Sequence, residues 1–147
     1  MNEIPWAYFD TSSLVKRYLR EKGSLEVRRL LRRYGVLSSS LMPVELFSAL
    51  TRRHGQKDLS DRDYTAILSR IKRDRDFWEL VEIGAPVLAR AEELALSLRV
   101  RTLDAIHVAS AVVFREFTAR SLLFVTSDER QFEAAKQCGL EVIPVSG

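Results

Sequence analysis

The chain has 147 residues, 46% of them hydrophobic and 29% charged, with a net charge of +3; that suits one domain with a real core, excludes a disordered chain, and does not by itself specify a polyanion partner. No apolar run approaches the roughly 20 residues of a membrane-spanning helix, and the first residues lack the basic-then-apolar layout of a secretion signal. Cys138 is the only cysteine, so no internal disulfide can form and a reducing cytoplasm is the expected setting.

The apolar run at residues 4–9 ends in Asp10 and three hydroxyl residues, Thr11, Ser12 and Ser13. Such a run predicts a parallel strand buried on both faces. Asp10 then lies just past its carboxyl end, and one of the hydroxyls caps a helix over 12–20. Gly23 breaks that helix; Ser24 is expected to cap a second, and Gly35 to sit just past its end. Residues 36–39 read as strand two. Pro43 suits the first turn of a helix that runs to His54 and stops at Gly55. Ser60, with Asp63 three residues on, resembles a capping box for a helix reaching about residue 75. Residues 77–83 read as strand three. Pro86 opens a helix to Leu98, and another runs from Thr102 to Phe117. Residues 121–126 read as strand four, ending like the first in hydroxyl and acid, Thr126-Ser127-Asp128. A short helix to Cys138, Gly139 as its terminator and a strand over 140–145 complete the chain. The alternation predicts an α/β fold with a parallel sheet covered by helices on both faces, in one domain over 1–147.

Four acids stand out in that scheme. Asp10 and Asp128 each follow a strand directly, and Glu45 lies in the first turn of the helix after strand two. These three share the carboxyl rim of the sheet, where open α/β sheets bind ligands. Asp104, in the first turn of the helix before strand four, joins them only if that helix also starts at the rim. Each acid alone has an ordinary explanation: a turn or cap for Asp10, and for Glu45 and Asp104 the helix dipole, worth about 0.3–1 kcal/mol. Together they do not. Two like charges about 4 Å apart cost on the order of 4 kcal/mol at an effective dielectric of 20, so such a rim should hold a cation or protonate a member. Oxygen-only donors point to Mg²⁺ or Mn²⁺ rather than zinc, and such an ion can activate water for attack on phosphorus. Ser12 and Thr126 offer hydroxyls to the ion or its water, the plain alternatives being a helix cap and a strand-end backbone bond. His107, three residues after Asp104, is read as a base, as that carboxylate's hydrogen-bond partner, or as a packed ring in an apolar helix. His54 reads as a helix-end residue. The clusters Lys16-Arg17-Arg20, Arg28-Arg29-Arg32-Arg33, Arg52-Arg53-Lys57 and Arg70-Lys72-Arg73-Arg75 suit either phosphate contact or solvated helix faces.

The segments Phe-Asp-Thr-Ser-Ser-Leu-Val-Lys, Pro-Val-Glu-Leu-Phe-Ser-Ala-Leu, Leu-Asp-Ala-Ile-His-Val-Ala-Ser-Ala and Val-Thr-Ser-Asp resemble the PIN domain, most nearly the VapC toxins of toxin–antitoxin pairs. The ordered set spans nearly the whole chain. The resemblance implies a three-layer α/β/α fold with a parallel sheet of about five strands, and Mg²⁺- or Mn²⁺-dependent endoribonuclease activity. By motif position Asp10, Glu45, Asp104 and Asp128 match the family's acidic metal-binding quartet, and Ser12 and Thr126 its frequent hydroxyls. It implies, further, an RNA substrate, a cognate antitoxin that inserts at or near the site, a homodimer, and no membrane. A PIN nuclease of RNA processing or DNA metabolism, and a PIN scaffold that binds RNA or protein without cutting, stand as alternatives. A receiver-like signalling domain fits poorly: Asp10 is a lone acid, Ile83-Gly84-Ala85-Pro86 follows strand three, and no lysine follows Val145.

Overall fold

The computed structural model describes residues 4–146. Five strands, β1 (Trp6–Phe9), β2 (Gly35–Ser39), β3 (Glu79–Val81), β4 (Leu123–Thr126) and β5 (Glu141–Pro144), alternate with helices. The helices are α1 (Thr11–Tyr18), α2 (Ser24–Arg33), α3 (Met42–Gly55), α4 (Asp61–Asp74), α5 (Ala85–Leu98), α6 (Thr102–Thr118) and α7 (Glu129–Gln137), with a 3₁₀ turn at Arg75–Phe77. The sheet runs β3-β2-β1-β4-β5, and every neighbouring pair is parallel.

The period-2 alternation of strand side chains divides the interior into two cores. Tyr8, Leu37 and Phe124 point to the face covered by α5, α6 and α7. Ala7, Phe9 and Val125 point to the face covered by α1, α2, α3 and α4. With both faces covered, the central strands have no polar side to show, which is why the run before Asp10 is continuously apolar. The result is the three-layer arrangement expected from the sequence. No helix among the described residues is long and apolar enough to cross a membrane.

Several boundaries differ from the sequence reading. β1 starts at Trp6, because Pro5 has no N–H to donate, although its carbonyl still accepts from Gly35 N at 2.9 Å. β3 shrinks to Glu79–Val81 at the sheet edge, and Phe77 turns outward in the 3₁₀ turn, 80% exposed. β4 begins at Leu123 rather than at 121. Ser24 is the first residue of α2, not its cap; that place belongs to Gly23, at φ 92°. The Ser24 hydroxyl instead donates to Leu19 O at 2.8 Å and accepts from Glu21 N at 3.0 Å. Ser60 does cap α4, accepting from Asp63 N at 3.1 Å. Gly35 does sit just past α2, after the C-cap Tyr34, and it also opens β2, where it pairs with Trp6. A Cβ there would lie 2.7 Å from the Trp6 ring, so absence of a side chain, not backbone freedom, selects glycine. Gly35→Ala should therefore cost about 1–3 kcal/mol by overpacking, read as a lower urea midpoint at unchanged slope.

Candidate active site

β1 and β4 lie side by side at the centre of the sheet, where the strand order reverses, the position at which open α/β sheets bind ligands. Asp10 N still bonds Val125 O at 3.2 Å as the chain leaves β1. The Asp10 side chain then turns back and caps α1, its Oδ1 accepting from Ser13 N at 2.9 Å. Its Oδ2 accepts from Ser12 Oγ and Thr126 Oγ1, each at 2.7 Å. The cap is thus the acid itself. Ser13 Oγ is spent on the carbonyls of Asp10 and Val125, at 3.0 and 2.9 Å, and Thr11 serves another carboxylate. Asp10 is 0% exposed. Burial raises its pKa, against the opposing pull of the His107 charge, the Ser12 and Thr126 hydroxyls and the Ser13 N–H. Among the described residues no lysine or arginine pairs with it.

Glu45 faces this point from the first turn of α3. Its Oε1 accepts from Thr11 Oγ1 at 2.7 Å and from His107 Nε2 at 2.6 Å. Burial alone would raise the Glu45 carboxyl, but the hydrogen bond and charge of His107 and the Thr11 hydroxyl outweigh it and hold it below its ordinary value. The His107 ring is 1% exposed, and its Nδ1 lies 2.7 Å from the Tyr8 hydroxyl. Burial, with the Asp10 charge adding to it, drives the Tyr8 phenol well above its ordinary pKa, so that hydroxyl keeps its hydrogen. His107 is buried, as one sequence reading had it, but it is no inert packing ring. The carboxylate it holds is Glu45, not Asp104.

Asp104 does reach the rim, because α6 starts there. Asp104 is 8% exposed, and its Oδ1 accepts from Gln131 Nε2 at 3.0 Å. Asp128 caps α7, its Oδ1 accepting from Arg130 N at 2.8 Å and Gln131 N at 3.0 Å. Its own N–H donates to Thr126 Oγ1 at 2.9 Å. Thr126 thereby joins Asp10 to Asp128, and Gln131 joins Asp128 to Asp104. Gln131 is 6% exposed, and its Oε1 has no hydrogen-bond partner. The sequence reading missed it; its only signal was a polar residue in the buried stripe of a capped helix. As they stand, the acids are held by hydroxyl, amide and ring donors. Among the described residues no three His, Cys, Asp or Glu side chains form a group that could hold a metal ion.

The surroundings carry further chemistry. A cleft of about 280 Å³ beside Asp128 is lined by Thr126, Ser127, Phe132 and Pro144. A second, of about 550 Å³, lies between the starts of α6 and α7 and is bordered by Arg99, Arg101 and Arg130. None of these arginines falls in the clusters singled out from the sequence. Parts of those clusters are engaged elsewhere. Lys16 is buried on Glu21 (3.1 Å) and Lys22 O (2.7 Å), Arg17 pairs with Asp74 at 2.9 Å, and Arg53 with Glu21 at 3.3 Å. His54 lies 2.6 Å from Asp61 and stacks on Tyr64, a contact between α3 and α4 away from the acids.

Comparison with known proteins gives the family and the fold. A family profile described as PIN domain matches residues 7–137. Ribonuclease VapC46 of Mycobacterium tuberculosis (strain H37Rv) is 34% identical over 146 residues, covering 95% of this chain and 97% of that one. Ribonuclease VapC45 of Mycobacterium tuberculosis (strain CDC 1551) is 32% identical over 146 residues, covering 96% of each. Among solved structures, a VapBC-5 member of the VapBC toxin–antitoxin family from Mycobacterium tuberculosis superposes with a TM-score of 0.60 at 16% identity, over 95% of this chain and 98% of that one. A toxin–antitoxin complex from Klebsiella pneumoniae gives a TM-score of 0.56 at 18% identity, over 86% and 89%. At these identities the solved structures establish the fold.

Asp10→Asn keeps an oxygen for the Ser13 N–H, and the two hydroxyls can turn to accept from the new amide. With metal removed by chelator, the variant should melt at or above the wild-type temperature at neutral pH. The sign follows from the raised pKa: the ionised carboxylate is the form that costs stability. The advantage of Asn is therefore present at neutral pH and fades as pH falls through that raised value. Thermal unfolding at neutral and acid pH checks this, and a large loss of stability in the variant would make Asp10 a structural group first.

Proposed function

The chain belongs to the PIN domain family and is related over nearly all its length to VapC ribonucleases, and from that premise we propose that it is a divalent-metal-dependent endoribonuclease, the toxin of a toxin–antitoxin pair. The observation that carries the reading is Asp10: a carboxylate wholly out of water, at the strand-order switch, with no basic partner among the described residues. Asp10, Glu45, Asp104 and Asp128 are the proposed metal-binding and catalytic acids.

Among the described residues the acids do not stand as a ready-made metal cluster, but their donor type, oxygen only, suits a hard cation. The rim offers carboxylate and hydroxyl oxygens, Asp10 has no lysine or arginine partner among the described residues, and Gln131 Oε1 is a buried acceptor with no donor. Mg²⁺ or Mn²⁺ would be held by the four acids, and when bound it supplies charge neutralisation at phosphate and a more acidic water. Ser12 and Thr126 hold Asp10 in place, and Thr126 couples it to Asp128 through one hydroxyl. Thr11 and His107 keep Glu45 ionised at the rim. Gln131 keeps Asp104 and Asp128 facing one another. Arg99, Arg101 and Arg130 border the neighbouring cleft and can meet the phosphates of an RNA strand entering the rim. A cognate antitoxin belongs to the same reading, supported by the toxin–antitoxin assemblies among the similar solved structures, and a homodimer and a cytoplasmic setting go with it as part of the proposal.

Purified protein incubated with structured RNAs should cleave them when Mg²⁺ or Mn²⁺ is present and stop when a chelator is added. Asp10→Asn and Asp128→Asn should lower the rate on the order of 10²-fold with the circular dichroism spectrum retained, since Asn still caps a helix. Cleavage that survives both the chelator and the substitutions overturns the mechanism. Mn²⁺ should also raise the wild-type melting temperature, by the equivalent of about 2.7 kcal/mol at a hundredfold excess over Kd. A folded protein whose melting point ignores Mn²⁺ would instead favour a PIN scaffold that binds without cutting.

A further inference from the structure

We propose that Tyr8 and His107 form a positioning device for Glu45, fixing which of its two oxygens faces the cation and substrate. The inference rests on the reading of Glu45 as one of the metal-binding acids, and it deepens that reading.

The geometry is one-sided. Thr11 Oγ1 and His107 Nε2 both bond to Oε1, at 2.7 and 2.6 Å, and Oε2 carries no hydrogen bond among the described residues. A carboxylate only accepts, so Nε2 holds a hydrogen whether the imidazole is neutral or charged. The terminal torsion of a glutamate is broad when free; two donors on one oxygen remove that freedom. The carboxylate still reaches solvent, its side chain being 22% exposed against 1% for His107.

What holds the ring is the centre of the sheet. Nδ1 meets the Tyr8 hydroxyl at 2.7 Å, and the Tyr8 ring meets the imidazole edge-on, with centroids 5.9 Å apart at 79°. Tyr8 stacks in turn on Phe124, centroids 5.0 Å apart and 6° between planes. Tyr8 and Phe124 are paired residues of the adjacent central strands β1 and β4, and both are fully buried. A continuous path therefore runs from the buried centre of the sheet through α6 to the acid on α3. A leucine would fill the same space without two ring nitrogens to satisfy, so packing alone does not account for a histidine here. Nor is His107 placed as a general base: its Nε2 is spent on Glu45 and the ring is closed to solvent. It is a positioning residue, one shell behind the proposed ligand.

His107→Leu removes the donor and keeps volume, whereas His107→Gln returns an N–H near the same place. Calorimetric titration with Mn²⁺ should show the Leu variant weakened about 10- to 100-fold, Gln recovering much of the loss, and Tyr8→Phe weakened less than Leu. In a Glu45→Gln background the His107→Leu change should add nothing further, because it acts through Glu45. Wild-type Mn²⁺ affinity and turnover in His107→Leu, or losses that add independently of Glu45, overturn the proposal. A readout free of metal and activity separates its failure from that of the nuclease reading. In NMR the folded wild type should show a His107 Nε2–H signal protected from exchange, lost or shifted in Glu45→Gln. Should the wild type bind no Mn²⁺ and cut no RNA, the nuclease reading falls, and the role assigned to Glu45 with it. A missing ring N–H signal in a folded, active protein removes the positioning device alone.

Discussion

Asp10 carries its charge where β1 and β4 run side by side, in the interior of a sheet covered on both faces. Placing an ionised carboxylate there is costly unless donors surround it. The local chain answers that demand. The acid caps the helix it introduces, so one oxygen is satisfied by the start of α1. The other takes hydroxyls from Ser12 on its own helix and Thr126 at the end of the neighbouring strand. Those bonds tie the exit of β1 to the exit of β4, and much of the rim is assembled outward from them.

The same logic recurs at the other acids. Glu45 of α3 is bound by a group of α6 and Asp104 of α6 by a group of α7, while the Asp128 carboxylate is held by its own helix and its backbone N–H reaches Thr126, which bonds Asp10. Two of them are also caps, Asp10 for α1 and Asp128 for α7. Cap and site are therefore not rival descriptions. A carboxylate on a helix N-terminus is stabilised there by the dipole and by backbone N–H groups, and that placement costs little until several acids are brought to one edge. The net like charge then favours a cation and draws anionic phosphate only when the cation is present.

The two-core division gives the rim its rigidity. Tyr8 belongs to one core and its neighbours Ala7 and Phe9 to the other, so β1 cannot slip by one residue without exchanging every side chain between faces. A register held that firmly sets where Asp10 ends up, and through Tyr8 it sets where the His107 ring stands. Basic charge is distributed differently. Arginines that looked free in the sequence are partly tied into salt bridges on the α1–α4 face, while Arg99, Arg101 and Arg130 border the cleft next to the acids.

From the sequence alone one could read the α/β class, the parallel sheet, the two like strand ends at Asp10 and Asp128, and Glu45 in the first turn of the next helix. Those follow from local signals: apolar runs, caps, and the rule that helices after parallel strands start at the carboxyl rim. Tertiary structure decided the rest, because the partners lie far apart along the chain. His107 finds Glu45 across 62 residues, Thr126 finds Asp10 across 116, and Gln131 finds Asp104 across 27. No periodicity reports such pairs. Periodicity says which face a side chain takes, and only the packing of α6 and α7 over the sheet says what stands opposite. That is why Asp104 could be given a rim only by analogy, and why His107 looked like packing. It is also why Asp10, read as either cap or ligand, turned out to be placed for both.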